Sequence, residues 1–446
     1  MCSSTSRSRK NVTAIRKNAG GFGGTMRLLF DGTVYQAGAK YHGGGEYAIV
    51  IFRELLGNLG SNTVDVFFDP RLPRRNSFFE LCKEAHVRMH AVSTSQQLRR
   101  LLERGNYNRL YSALPIDYYF QELMTYRGNT EIVITIHGLR GIEILNADMP
   151  LICRPGRWKG LWDKLSWIHE CHQKQAEAHA SYQSKIALCK NGTVITVSQH
   201  SKNSLLYHFP HLTETQIRVC YSPHKYIPEN AGLTVDIFKK YKIAAKNYGL
   251  IISADREEKN ALRGILAYDR LFSAHYECIP ADYKVVVLGA GQKETFTKQI
   301  RNQTRFVFEH YVDAAELEQL YQHARLFLYP SLNEGFGYPP LEAMKYETLC
   351  ACSAVTSIPE VCGDAVLYFN PICTEEIANR ILQSFDQEIY EAKKPEMARQ
   401  YAKIKERQEH DLKELAAFLL NESNTENLRR DSHEKFRKSS NHHSQL

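Results

Sequence analysis

No stretch of this chain approaches the ~18 consecutive apolar residues that a membrane-spanning helix needs, so an integral membrane protein is not expected. The N-terminus is rich in Ser and Arg and lacks the apolar core of a secretory signal, so none is visible. Paired cysteine spacing is missing too. The 11 cysteines, an odd number, are scattered from Cys2 to Cys373 without a framework, which excludes a disulfide scaffold and fits thiols in a reducing cytosol. Cys350, Cys352 and Cys362 lie close together but match no zinc pattern, and they read as small buried apolar residues. A GxGxxG phosphate fingerprint is also absent.

What is present suits folded domains. Of 446 residues, 43% are hydrophobic and 24% charged, which allows two or three domains. The net charge of +8, from 57 Lys plus Arg against 49 Asp plus Glu, fits an anionic partner. Much of that excess sits in the tails. Residues 1–25 carry Arg7, Arg9, Lys10, Arg16 and Lys17 with no acid, and 421–446 are again polar and basic. Both read as disordered tails. The bulk charge is therefore weak evidence for membrane or nucleic acid, and no nucleic-acid partner is expected.

Between the tails, short apolar runs alternate with helical patterns. Strands are expected at 27–31, 63–68, 131–136, 193–197, 249–253, 284–289, 326–329, 348–352 and 365–369, of the kind buried on both faces of a parallel sheet. Asp313-Ala-Ala-Glu316 forms a capping-box pattern. The fold class is α/β, with two Rossmann-like doubly wound domains at 26–222 and 246–385 facing a cleft. A linker at 223–245 joins them, and a solvated helical region follows at 386–420.

The most informative segment is 330–364, PSLNEGFGYPPLEAMKYETLCACSAVTSIPEVCGD. It leaves a strand, turns through Gly335 and Gly337, and enters a helix at Pro339-Pro340. Glycines let a backbone approach a ligand, and amides at a helix start attract anions. Seven residues separate Glu334 from Glu342, so one carboxylate can face a ligand's reacting end while the other holds a more distant group. Here the chain resembles the retaining glycosyltransferases of the GT-B fold, specifically their family 4 group, whose hallmark is an E-x7-E element within PS-x-x-EGFG-x-P-x-LEAM. Pro330 to Met344 reproduce that pattern, and SIPEVCGDAVLYFNP at 357–371 continues it.

The resemblance implies that Glu342 binds the ribose hydroxyls of a nucleotide-sugar donor and that Glu334 contacts the donor sugar near the reacting carbon. It also implies that backbone amides around Phe336, Gly337 and Tyr338 reach the donor, and that Lys259 neutralises the diphosphate. Arg256 either joins Lys259 on the phosphates or pairs with Glu257 or Glu258. In the first domain the family's strand-end histidine corresponds to His137, although Gly138 stands where Asp is usual. Gly43, Gly44 and Gly45 precede a helix, and the resemblance places them near the donor phosphates; a plain tight turn is the competing reading. Gly289-Ala-Gly291 reads as a simple turn. Ser198 and Ser201 are expected to cap a helix.

All three tryptophans fall in 154–170. Trp158, Leu161, Trp162 and Leu165 share a helix face among Arg157, Lys159 and Lys164, giving either a stripe packed on the sheet or a surface for anionic lipid. His169, Cys171, His172 and His179 lack a ligand spacing, and no metal site is expected. The expected protein is a cytoplasmic, retaining, metal-independent glycosyltransferase without a cofactor, peripheral to the membrane at most. It would move a sugar from a nucleoside-diphosphate sugar to a glycan or lipid-linked hydroxyl in polysaccharide or glycoconjugate assembly. A nucleotide-sugar epimerase of the same architecture, a nicotinamide dehydrogenase and a non-enzymatic nucleotide-sugar-binding protein are the rivals.

Overall fold

A computed structural model describes residues 25–36, 43–74, 76–144, 161–189, 192–224 and 235–420. The tails expected as disordered lie outside the described residues, apart from Thr25, as do Trp158 and residues 225–234 of the expected linker.

Among the described residues the chain forms two parallel sheets. The first contains β1 (Arg27–Asp31), β2 (Thr63–Phe68), β3 (Arg88–Ala91), β4 (Arg109–Ser112), β5 (Glu131–Ile136), β6 (Val194–Thr196) and β7 (Ile217–Val219), in the order β3-β2-β1-β4-β5-β6-β7. The second contains β8 (Tyr248–Ile251), β9 (Lys284–Leu288), β10 (Phe306–Glu309), β11 (Leu326–Tyr329), β12 (Leu349–Ser353) and β13 (Leu367–Phe369), ordered β10-β9-β8-β11-β12-β13. Both are Rossmann-like, and each reverses direction beside its first strand, between β1 and β4 and between β8 and β11. Those switch points open a crevice at the strands' carboxyl ends.

The apolar runs form strands because both of their faces are covered. In β1, Leu28 and Phe30 join one apolar cluster and Leu29 the opposite one. In β11, Leu326 and Leu328 face one side, and Phe327 and Tyr329 the other. This two-residue alternation is the signature of a strand sandwiched between helices. The nine expected strands are all present within two residues of their expected ends. Four further strands, β3, β4, β7 and β10, escape an apolar-run criterion because each is only three or four residues long and interrupted by Arg, His, Ser or Glu. Their backbones are recruited by the neighbours they pair with.

Three expectations about helices need revision. Within the linker, Ile237–Tyr241 form a short helix whose Ile237 and Tyr241 pack into the second domain's core. Asp313 does cap the helix Ala314–His323 by accepting from the Glu316 amide, but the Glu316 carboxylate turns to Lys240 and Tyr241 instead of completing a capping box. The region after 385 is not merely solvated. The helix Gln387–Leu419 buries Tyr390 against the second domain and Ile404, Leu415, Ala416 and Leu419 against the first, so one helix straps both. Arg109 fixes its far end by donating to the Phe418 carbonyl.

Among the described side chains of the expected stripe, neither Trp162 nor Leu165 packs on the sheet. Trp162 is 83% and Leu165 48% exposed.

Candidate active site

At the switch point of the second sheet, the segments leaving β8 and β11 are tied together. Asn260 donates through Nδ2 to the carbonyls of Pro330 (2.9 Å) and Pro371 (2.8 Å), and the Leu332 amide donates to the Glu258 carbonyl (2.8 Å). This brings Lys259 to Glu334. Lys259 Nζ lies 2.5 Å from Glu334 Oε1 and 3.0 Å from the Tyr329 hydroxyl, and Tyr329 and Ser331 each donate to the same carboxylate oxygen at 2.5 Å. Both charged side chains are largely buried, at 8% and 13% exposed. Burial by itself would raise the Glu334 carboxyl, but the Lys259 ammonium and the hydroxyl donors outweigh it and hold the group below the usual carboxylate range. A paired, hydrogen-bonded carboxylate is thus fixed at the mouth of the crevice.

The backbone of the same loop is gripped as tightly. The Glu334 amide donates to Thr356 Oγ1 (3.0 Å), and Ser357 Oγ lies 3.0 and 2.9 Å from the carbonyl oxygens of Glu334 and Phe336. Thr356 is held at φ +51°, an uncommon conformation for a β-branched residue. Gly337 then caps the helix Tyr338–Met344, whose first turn carries both prolines. The Phe336 ring is buried edge-on to Tyr221, and the Tyr338 hydroxyl meets Ser222 Oγ (2.5 Å) and the Pro223 carbonyl (2.7 Å). Glu342 is partly buried near Tyr321 and Tyr338; burial first, and then that carboxylate, push the Tyr321 hydroxyl up.

The other side of the crevice is the switch point of the first sheet. Ser112 Oγ donates to Asp31 Oδ2 (2.6 Å), joining the ends of β4 and β1. His137 follows β5. Its Nε2 lies 2.8 Å from the Ala113 carbonyl, so that nitrogen carries the proton, and the ring meets Tyr47 edge-on at 4.6 Å. Burial lowers its pKa against that hydrogen bond, which favours the neutral imidazole. Gly44 and Gly45 lie inside the first turn of the helix Gly43–Gly57 instead of ahead of it, and Gly44 faces Leu114.

The two sides meet. A Cβ on Gly335 would lie 1.7 Å from the His137 carbonyl oxygen, and one on Gly138 would lie 3.2 Å from Gly335 Cα, with Gly138 at φ +148°. This contact accounts for glycine where the resemblance leads one to expect Asp. Arg140 and Arg256 both donate to Glu258 Oε1, at 2.7 Å and 2.8 Å. Arg256 thus pairs with Glu258, as one of its two readings has it. Ser198 caps the helix Gln199–His208 as expected, accepting from the Ser201 amide, whereas Ser201 lies inside the helix with its hydroxyl 2.9 Å from Ser198 Oγ. Gly289 is more than a simple turn, since a Cβ there would lie 2.9 Å from Ser253 Cα.

Sequence reasoning passed over the polar residues that join the halves. Asn333 and Glu360 lie within the segment read as a motif, but nothing in it marks them as interdomain contacts. Glu143 follows His137 by six positions with no motif at all.

Two Rossmann-like domains whose switch points face each other across a crevice define the GT-B architecture. Solved structures agree at the level of fold. A glycosyltransferase from Rickettsia africae ESF-5 superposes with a TM-score of 0.59 at 15% identity, covering 90% of this chain and all of that one. Anabaena Alr3699/HepE, solved with UDP and glucose, gives 0.56 at 13% identity, covering 87% and 99%. Residues 235–405 match the model of the family described as glycosyl transferases group 1. Among curated proteins, the O-antigen chain mannosyltransferase B of Escherichia coli is 33% identical over 204 residues, 43% of this chain. The match spans about half of that relative, 51% of its length.

Proposed function

We propose that the protein is a glycosyltransferase that moves a sugar, mannose by analogy with its curated relative, from a nucleoside-diphosphate sugar to a hydroxyl of a glycan or lipid-linked glycan in polysaccharide assembly. The observation that carries this reading is the Lys259–Glu334 pair, set at the second sheet's switch point on a segment inside the matched family region. In this reading Glu334 orients a donor-sugar hydroxyl, and Glu342 accepts from the ribose hydroxyls. Lys259 and the amides of Phe336, Gly337 and Tyr338 stabilise charge on the departing diphosphate. Arg256, held by Glu258, and the helix start at Gly44–Gly45 border the phosphates, and His137 faces the sugar. The acceptor hydroxyl attacks on the face the diphosphate leaves, passing its proton to a phosphate oxygen, so configuration is retained. Neither metal nor cofactor is required in this scheme. The exposed Trp162 and Leu165 support a peripheral contact with anionic membrane on the cytoplasmic side.

The test is a panel of nucleotide sugars, GDP-mannose among them, with diphosphate release as the readout. Glu342→Ala should weaken donor binding, whereas Glu334→Ala should chiefly lower kcat. Wild-type affinity and rate in both variants would refute the site assignment.

A further inference from the structure

We propose that Glu143 and Glu360 are positioning residues that grip the Glu334 loop from its two ends and seat it on the first domain. Glu143 closes the short helix Arg140–Glu143 that follows His137. Its Oε1 lies 3.1 Å from His200 Nε2 and accepts from Ser204, both on the helix Gln199–His208, and its Oε2 accepts from Asn333 Nδ2 of the second domain at 2.6 Å. Asn333 is buried and immediately precedes Glu334. Burial would raise the Glu143 carboxyl, yet these partners outweigh it and hold it at about 2. The carboxylate is therefore ionised and uses both oxygens, one for each domain.

The second grip runs the other way. Glu360, on the second domain's helix Ile358–Cys362, places Oε1 2.7 Å from the Gln199 amide and Oε2 2.9 Å from the His200 amide. These amides open the first-domain helix, where a carboxylate complements both unpaired N–H groups and the helix dipole. Glu360 follows Thr356 and Ser357 closely in sequence, and those two hold the backbone of 334–336. The loop is thus attached to one first-domain helix at both ends, directly through Asn333 and Glu143 and indirectly through Ser357 and Glu360. Between the two attachments Gly335 lies against the His137 carbonyl. Each residue acts through another, and the pair fixes the depth at which Glu334 enters the crevice.

The catalytic consequence rests on the proposed glycosyl transfer, so the experiment reads the grip separately. Hydrogen–deuterium exchange of the full chain is followed in segments 331–338 and 199–203 without any donor. Glu143→Ala, Asn333→Asp and Glu360→Ala should each speed exchange in 331–338 by about tenfold or more, the loss expected for a hydrogen bond to a charged group. Glu360→Ala should also release 199–203. The swapped pair Glu143→Gln with Asn333→Asp, in which the donor lies on the first domain, should restore slow exchange in 331–338. With GDP-mannose, the single variants should lower kcat more than they raise KM, and the swap should recover kcat. Unchanged exchange in the single variants, or a swap no better than Asn333→Asp alone, overturns the proposal. If the wild type turns over no nucleotide sugar, the functional reading fails while the exchange data still decide the grip.

Discussion

The main-chain oxygen of His137 occupies the space where a side chain on Gly335 would begin, 1.7 Å from an ideal Cβ. Two residues nearly two hundred positions apart, one in each domain, therefore touch backbone to backbone beside the Glu334 carboxylate. Replacing Gly335 by Ala forces the loop or the strand end to move. Because misplacement by about 1 Å can cost roughly 100-fold in rate, Gly335→Ala should lower transfer by about that factor while each domain's own core remains intact. Initial rates, together with near-UV circular dichroism as a check on packing, test this; an unchanged rate would mean that the contact does not set the site.

Removing Lys259 leaves Glu334 as a buried carboxylate without its cation. Lys259→Ala should destabilise the chain by about 3–5 kcal/mol, and Lys259→Ala with Glu334→Ala by less than Lys259→Ala alone. Denaturant unfolding of the single and double variants gives the comparison. Additive losses would show that the two charges are not coupled.

Asp31 gives a pH signature. Burial, opposed in part by hydrogen bonds from Ser112 and Thr33, pushes its carboxyl up from 3.8 to about 6. Its folded pKa lies above its unfolded one, so the native chain keeps a proton that the unfolded chain has released. That contribution is complete below about pH 4 and is lost as pH rises through about 6. The stability of the wild type relative to Asp31→Asn should fall by about 3 kcal/mol across this window. A difference that stays flat or rises with pH would exclude the shift.

Trp162 and Leu165 contribute exposed apolar area and little to the core. Trp162→Ala combined with Leu165→Ala should reduce sedimentation with anionic vesicles while leaving the unfolding midpoint within about 1 °C of wild type. Equal vesicle binding by both proteins would remove the membrane contact from the functional reading.

The sheets were legible because a strand buried on both faces must be apolar at consecutive positions, as in Val285 to Leu288. The EGFG loop was legible because turn glycines, helix-starting prolines and two carboxylates at a fixed spacing rarely coincide. β3, with Arg88 and His90, was not legible, since pairing with β2 decides its conformation and local composition does not. Nor were Glu143 and Glu360. Their partners, Asn333 and the amides of Gln199 and His200, lie 190, 161 and 160 residues away, and no local pattern announces a contact that only the docking of two domains creates. The ionic partner of Arg256 was visible as one alternative, because Glu258 is two positions along.

The helix Gln387–Leu419 also bears on the order of folding. It buries Tyr390 and Met397 in the second domain and places Ile404, Leu415, Ala416 and Leu419 in the core cluster of the first, which also holds Phe52, Leu55 and Tyr111. During synthesis the first domain emerges earliest, yet part of its apolar interior has no cover until residues near 420 leave the ribosome. A fragment ending at residue 222 would expose that interior and should aggregate. The first domain is made first and completed last.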